Sequence, residues 1–183
     1  MQHQGNRRSG LNAAPTRLPD FLRVALLGGW AGLLAAVLSV SRASTVDETE
    51  ALLLSCMDFR FIDKTERYMA VRGLRDKYDH LILAGASLGA LTEKYPAWNQ
   101  TFWEHLDIAI QLHRIRKVLV MDHRDCGVYT VILGEHFSQA PAKEKMAHTS
   151  KLKQLGKLIK EKYPRLEVEL LLMSLDGKVE VIS

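Results

Sequence analysis

The stretch Val118-Leu119-Val120-Met121-Asp122-His123-Arg124-Asp125-Cys126-Gly127 constrains this chain more than any other. A short apolar run ends in a histidine and a cysteine three residues apart, and glycine follows at once. The chain has two cysteines, and the other, Cys56, closes a second such run, Ala51-Leu52-Leu53-Leu54-Ser55-Cys56. Short apolar runs bounded by polar residues fit strands buried on both faces. Two thiols and an imidazole at the ends of such strands can converge on one metal ion. Zinc prefers thiolate and imidazole ligands, and three protein ligands leave a fourth position open for solvent. On residue chemistry alone two alternatives stand beside that reading. One is a pair of structural cysteines with a satisfied core histidine, the other a disulfide between Cys56 and Cys126.

With 183 residues the chain has room for one domain with a proper core. Its net charge of +4 hints at an acidic partner until it is divided along the chain. Residues 1–43 carry Arg7, Arg8, Arg17, Arg23 and Arg42 against Asp20 alone, which accounts for the whole excess. Residues 44–183 are neutral, so charge gives no support for nucleic-acid binding.

The basic segment also contains an unbroken apolar or small-residue stretch, Val24 to Val40, followed by Ser41-Arg42-Ala43. A positive flank, an apolar run and a small-residue site make an export signal. Because the run sits at the lower edge of bilayer-spanning length, a retained membrane anchor through residues 24–40 is the rival. Residues 1–43 are therefore expected to be a signal peptide or anchor, and residues 44–183 the folded domain. The protein is expected outside the cytoplasm or held at a membrane.

Within the domain, Ala51–Ser55 reads as a strand, and Asp63 with Glu66 as a capping-type start for a helix to about Tyr78. A second strand begins at His80 and runs into the small residues Ala84-Gly85-Ala86-Ser87-Leu88-Gly89. Small side chains there imply a close approach to the backbone. Thr101 and Glu104 form another capping box, and Phe102, Leu106, Ala109 and Ile110 recur behind it at helical spacing. Lys117–Met121 is the third strand. A helix over Thr149–Tyr163, a strand over Leu166–Met173 and a short final strand over Val179–Ile182 complete the chain. This alternation predicts an α/β fold, a mostly parallel sheet with helices on both faces. Sites in such sheets lie beyond the carboxyl ends of the strands, where Cys56 and His123 fall.

Asp58 and Arg60 stand two and four residues beyond Cys56, on its side of an extended chain. Cys56-x-Asp58-x-Arg60 together with His123-x-x-Cys126-Gly127 resembles the signature of the β-class carbonic anhydrases, in order and in the length between the halves. The resemblance implies zinc held by Cys56, His123 and Cys126, with Asp58 and Arg60 as the catalytic pair. It implies reversible hydration of carbon dioxide to bicarbonate by a metal-bound hydroxide, in a homodimer or higher oligomer. Asp58 is expected either to ligate the metal or to turn away to Arg60. The chain departs from the family where Leu83-Ala84-Gly85-Ala86-Ser87 replaces the usual Arg-Asn-Ala-Gly stretch. Carbonyl sulfide or carbon disulfide hydrolysis, or an inert zinc-holding interaction domain, are the alternatives.

The remaining candidates carry less. His105, His113, His136 and His148 have no ligand-like companions in sequence. Asp122 and Asp125 flank His123 and are expected either behind the ligands or in turns. Tyr129 is expected near the pocket. Trp98, Phe102 and Trp103 read as core or as a subunit contact.

Overall fold

Every residue of Ala51–Ser55 is buried, and this segment forms β1 near the middle of a five-stranded sheet. The computed structural model describes residues 48–137 and 139–183. The expectations for residues 1–43 fall outside the described residues. The other strands are β2 (Tyr78–Ile82), β3 (Lys117–His123), β4 (Glu167–Met173) and β5 (Val179–Val181). Their order is β2-β1-β3-β4-β5, parallel through the first four, with β5 antiparallel at the edge.

The apolar runs of β1 and β3 feed two cores, because successive side chains point to opposite faces. On one face Ala51, Leu53, Leu119 and Met121 meet Phe61, Met69 and Leu74, from and around α1 (Ile62–Val71). On the other, Leu52, Leu54, Val118 and Val120 meet Phe102 and Leu106 of α3 (Pro96–His113). Leu152, Leu155 and Ile159 of α5 (Pro141–Lys162) close that layer. The helices thus cover both faces, as expected. Two short helices, α2 (Ser87–Leu91) and α4 (Gly127–Leu133), sit beyond the carboxyl ends of β2 and β3. Phe102 is fully buried, while Trp98 and Trp103 pack partly exposed on the same core. Among the described residues, no helix is long and apolar enough to cross a membrane.

Three helix boundaries differ from expectation. The first helix ends at Val71, well before Tyr78, because Gly73 takes a left-handed φ of 73° and the last turn closes with Leu74 N–H on the Met69 carbonyl. Tyr78 instead opens β2. Neither proposed capping box forms: α3 starts five residues earlier with Pro96 in its first turn, and Glu104 accepts from Gln100 instead. Glu66 likewise accepts from the Tyr78 hydroxyl. Finally, α5 begins at Pro141 rather than Thr149, and these two added turns carry Glu144 toward the site.

Candidate metal centre

β1 and β3 are neighbours in parallel register, with Leu54 opposite Val120, so the residues that follow them emerge side by side. Cys56 leaves the end of β1, His123 is the last residue of β3, and Cys126 caps α4. One ligand atom from each lies within 4.8 Å of the others. The two sulfurs are 3.9 Å apart and both cysteines are free. His123 is 3% exposed and Cys126 6%, with Cys56 half-buried.

The His123 ring is oriented from behind. Its Nδ1 faces the Arg124 carbonyl at 2.8 Å, which makes Nδ1 the protonated nitrogen and leaves Nε2 with a free lone pair. Nε2 is buried and has no hydrogen-bond partner. Burial disfavours the charged ring, but the adjacent Cys56 sulfur outweighs it and raises the His123 pKa. The contact with Cys126 drives the Cys56 thiol down, while the same contact and burial drive Cys126 up. A single proton shared between two close sulfurs produces that split, and a cation would displace it from both.

Asp58 and Arg60 reach the site by a different route from the one expected. The strand ends at Ser55, and Phe59–Phe61 form a tight 3-10 turn. Asp58 caps that turn by accepting the Arg60 N–H at 3.0 Å. The Arg60 side chain then grips the Asp58 carboxylate through Nε at 3.0 Å and Nη2 at 2.7 Å. This pairing holds the Asp58 carboxyl below the usual carboxylate range. Asp58 Oδ2 lies 3.9 Å from His123 Nε2, so the pair stands at the rim of the ligand set.

A family model described as "Putative carbonic anhydrase" matches residues 46–183. The chain belongs to this family. A Rickettsia bellii protein is 42% identical over 144 residues, which span 79% of this chain and 88% of that one. A Rickettsia conorii protein is 41% identical over 138 residues, 75% of this chain and 74% of its own. Among solved structures, the fold is similar to a carbonic anhydrase from Glaciozyma antarctica, with a TM-score of 0.50 at 18% identity over 76% of this chain and 87% of that one. The β-carbonic anhydrase CafA of Aspergillus fumigatus scores 0.46 at 16% identity, over 75% of this chain and 76% of its own.

The donor set of this carbonic anhydrase-like chain fits zinc on its own geometry. Two sulfurs bound tetrahedrally at about 2.3 Å from one zinc sit roughly 3.8 Å apart, close to the spacing here. An orphaned, buried imidazole nitrogen beside them is a polar group with a large cost unless something fills its lone pair.

Of the residues that brace this centre, Asp122, Asp125 and Tyr129 are expected near it from the sequence, while Glu144 and the role of His148 are not. Asp125, at a left-handed φ of 59°, holds Arg60 from the far side, accepting from Nη1 at 2.7 Å and, through its carbonyl, from Nη2 at 2.9 Å. Glu144 of α5 pins the loop between His123 and Cys126 by accepting from the Asp125 N–H and from Arg124. Asp122 and His148, 1% and 0% exposed, meet through His148 Nδ1 at 2.9 Å. Tyr129 donates to the same Asp122 carboxylate at 2.6 Å. No spacing in the sequence links Asp122 to His148, although Glu144 and His148 extend the helical series of Leu152, Leu155 and Ile159 backward along α5. His105 and His113 bond to Thr101 and Asp79, and no metal-spaced group other than Cys56, His123 and Cys126 occurs among the described residues.

Proposed function

We propose that this chain is a zinc-dependent lyase that catalyses the reversible hydration of carbon dioxide to bicarbonate. Cys56, His123 and Cys126 hold the metal, and Asp58 and Arg60 form the catalytic pair. The reading is carried by the convergence of two sulfurs and an unpartnered imidazole nitrogen. When bound, zinc supplies the Lewis acidity that brings a water at its open position toward a pKa of about 7, less far where two thiolates share its charge.

The chain's own residues supply the rest. The Arg124 carbonyl fixes the His123 tautomer, so that Nε2 presents a lone pair to the metal position. Arg60 keeps Asp58 ionised, and an ionised carboxylate only accepts. Asp58 can therefore take an O–H hydrogen bond from water but cannot give one back, which turns a water lone pair outward to the substrate carbon. Asp125 clamps Arg60 from the other side and keeps this acceptor in place.

The test is metal analysis with stopped-flow carbon dioxide hydration on the full chain, and Cys126→Ser and Asp58→Ala as controls. Cys126→Ser should lose metal and activity together; Asp58→Ala should keep metal and lose activity. Zinc with hydrolysis of carbonyl sulfide or carbon disulfide, and no hydration, would move the substrate. Zinc with neither activity would make this an inert interaction domain.

The same reading makes the protein at least a homodimer. Met57, Phe59 and Ile62, at 65%, 82% and 58% exposure, form an apolar fringe beside the catalytic pair that a single chain leaves in water. Light scattering on the purified chain tests this. Residues 1–43 serve as an export signal or anchor, a proposal resting on the apolar run 24–40 and tested by fractionation and the mass of the mature protein.

A further inference from the structure

Asp122 accepts four hydrogen bonds close to the metal centre, yet it touches no ligand atom. It sits near the end of β3, 1% exposed. Oδ1 accepts the Ser87 N–H at 3.0 Å. Oδ2 accepts the Ser87 hydroxyl at 2.7 Å, the Tyr129 hydroxyl at 2.6 Å and His148 Nδ1 at 2.9 Å. Donors from α2, α4 and α5 thus fill its acceptor positions. Burying a carboxylate is costly unless it is satisfied in this way.

What the carboxylate holds is a strained turn. Before Ser87 stand Gly85, at φ 78°, and Ala86, at φ 40° and ψ −103°. A residue with a Cβ at such a φ costs about 1–3 kcal/mol and persists only where its surroundings over-determine it. Both bonds from Ser87 to Asp122 supply that constraint. The turn has one contact with the metal centre: the Gly85 N–H donates to Cys56 Sγ at 3.3 Å. An N–H aimed at a thiolate stabilises its charge and fixes its orientation, so losing that bond weakens the sulfur's hold on a bound cation.

We infer that Asp122 is a positioning residue of the metal centre, acting through the Gly85–Ser87 turn to keep a backbone N–H on Cys56. The inference rests on the proposed metal site and adds to it the device that tunes one of its sulfurs. It also gives the apolar turn Leu83–Ser87 a role: its backbone, not its side chains, faces the centre.

The experiment compares the wild-type chain with Asp122→Asn and Ser87→Ala. Zinc affinity is measured by competition with a chelator, and the cobalt-loaded forms are read by their sulfur-to-metal charge-transfer absorption. Circular dichroism and melting of the metal-free forms monitor the fold. Ser87→Ala is the sharper variant, since it touches Cys56 only through the Gly85 N–H. Both variants should bind zinc about 10-fold to 100-fold more weakly, with the cobalt absorption displaced from that of wild type. A merely structural role would lower the melting temperature and leave affinity and spectrum unmoved, and that result overturns the inference. Should Asp122→Asn fail to fold, Ser87→Ala decides alone. If the wild-type chain binds neither zinc nor cobalt, the metal reading itself falls, and this inference with it.

Discussion

Arg60 holds Asp58 by three side-chain contacts, Nε to Oδ1 at 3.0 Å, Nε to Oδ2 at 3.2 Å and Nη2 to Oδ2 at 2.7 Å, while Asp125 anchors its other edge. Such a fork fixes geometry as well as charge, and a lysine at the same position cannot reproduce it. Arg60→Lys and Arg60→Ala should therefore keep bound zinc. Their kcat/KM for carbon dioxide hydration should fall about 100-fold or more, the scale of a misplaced acid–base group. Zinc content by atomic absorption and stopped-flow rates check this together; an unchanged rate removes Arg60 from the mechanism.

The metal ligands should behave as one unit. Cys56→Ser and Cys126→Ser should each lower zinc occupancy to background after dialysis against a chelator, since a hydroxyl is a poor substitute for a thiolate. Retention of stoichiometric zinc by either variant would place the metal elsewhere.

Packing around the small-residue turn makes a stability prediction. A Cβ added at Gly89 lies 2.3 Å from the Ala84 carbonyl oxygen, which is backbone and cannot swing aside. One added at Gly85 meets Val128 Cγ1 at 2.8 Å, on a left-handed φ of 78°. Gly89→Ala should lose roughly 3 kcal/mol in denaturant unfolding, the upper part of the usual overpacking range. A change within a few tenths of a kcal/mol would show that α2 can slide away from Ala84.

Away from the site, Glu169 on β4 takes Arg72 at 2.8 and 3.0 Å and Lys117 at 3.1 Å. Arg72, chiefly, holds its carboxyl below the ordinary value of 4.5. A depressed folded pKa adds stability above the unfolded value, and that stability is lost as pH falls through the folded one. Glu169→Gln should therefore cost about 1 kcal/mol at neutral pH. The difference from wild type should close in acid. Urea titrations at several pH values test this, and a difference that widens in acid contradicts it.

The strands and the convergence of Cys56, His123 and Cys126 were legible because their signals are local. Ala51–Ser55 is a bounded apolar run, and the histidine and cysteine that end the second run lie within four residues of each other. The helix starts were less so: Asp63, Glu66, Thr101 and Glu104 have capping spacing, but Pro96 and the 3-10 turn at Phe59–Phe61 set the real boundaries. The supports of the site were legible only in part: Asp122, Asp125 and Tyr129 lie near the ligands in sequence, but their other partners do not. Asp122 meets Ser87 and His148 across 35 and 26 residues, and Arg60 meets Asp125 across 65. Only the packed sheet brings such partners together.

The central claim is that two sulfurs and one imidazole nitrogen hold a zinc ion that works on carbon dioxide. Stopped-flow carbon dioxide hydration by the zinc-loaded chain, beside Cys126→Ser prepared identically, tests it most directly. The account predicts hydration well above the buffer rate in the first and none in the second. Equal rates in the two preparations, at the level of buffer alone, would contradict it.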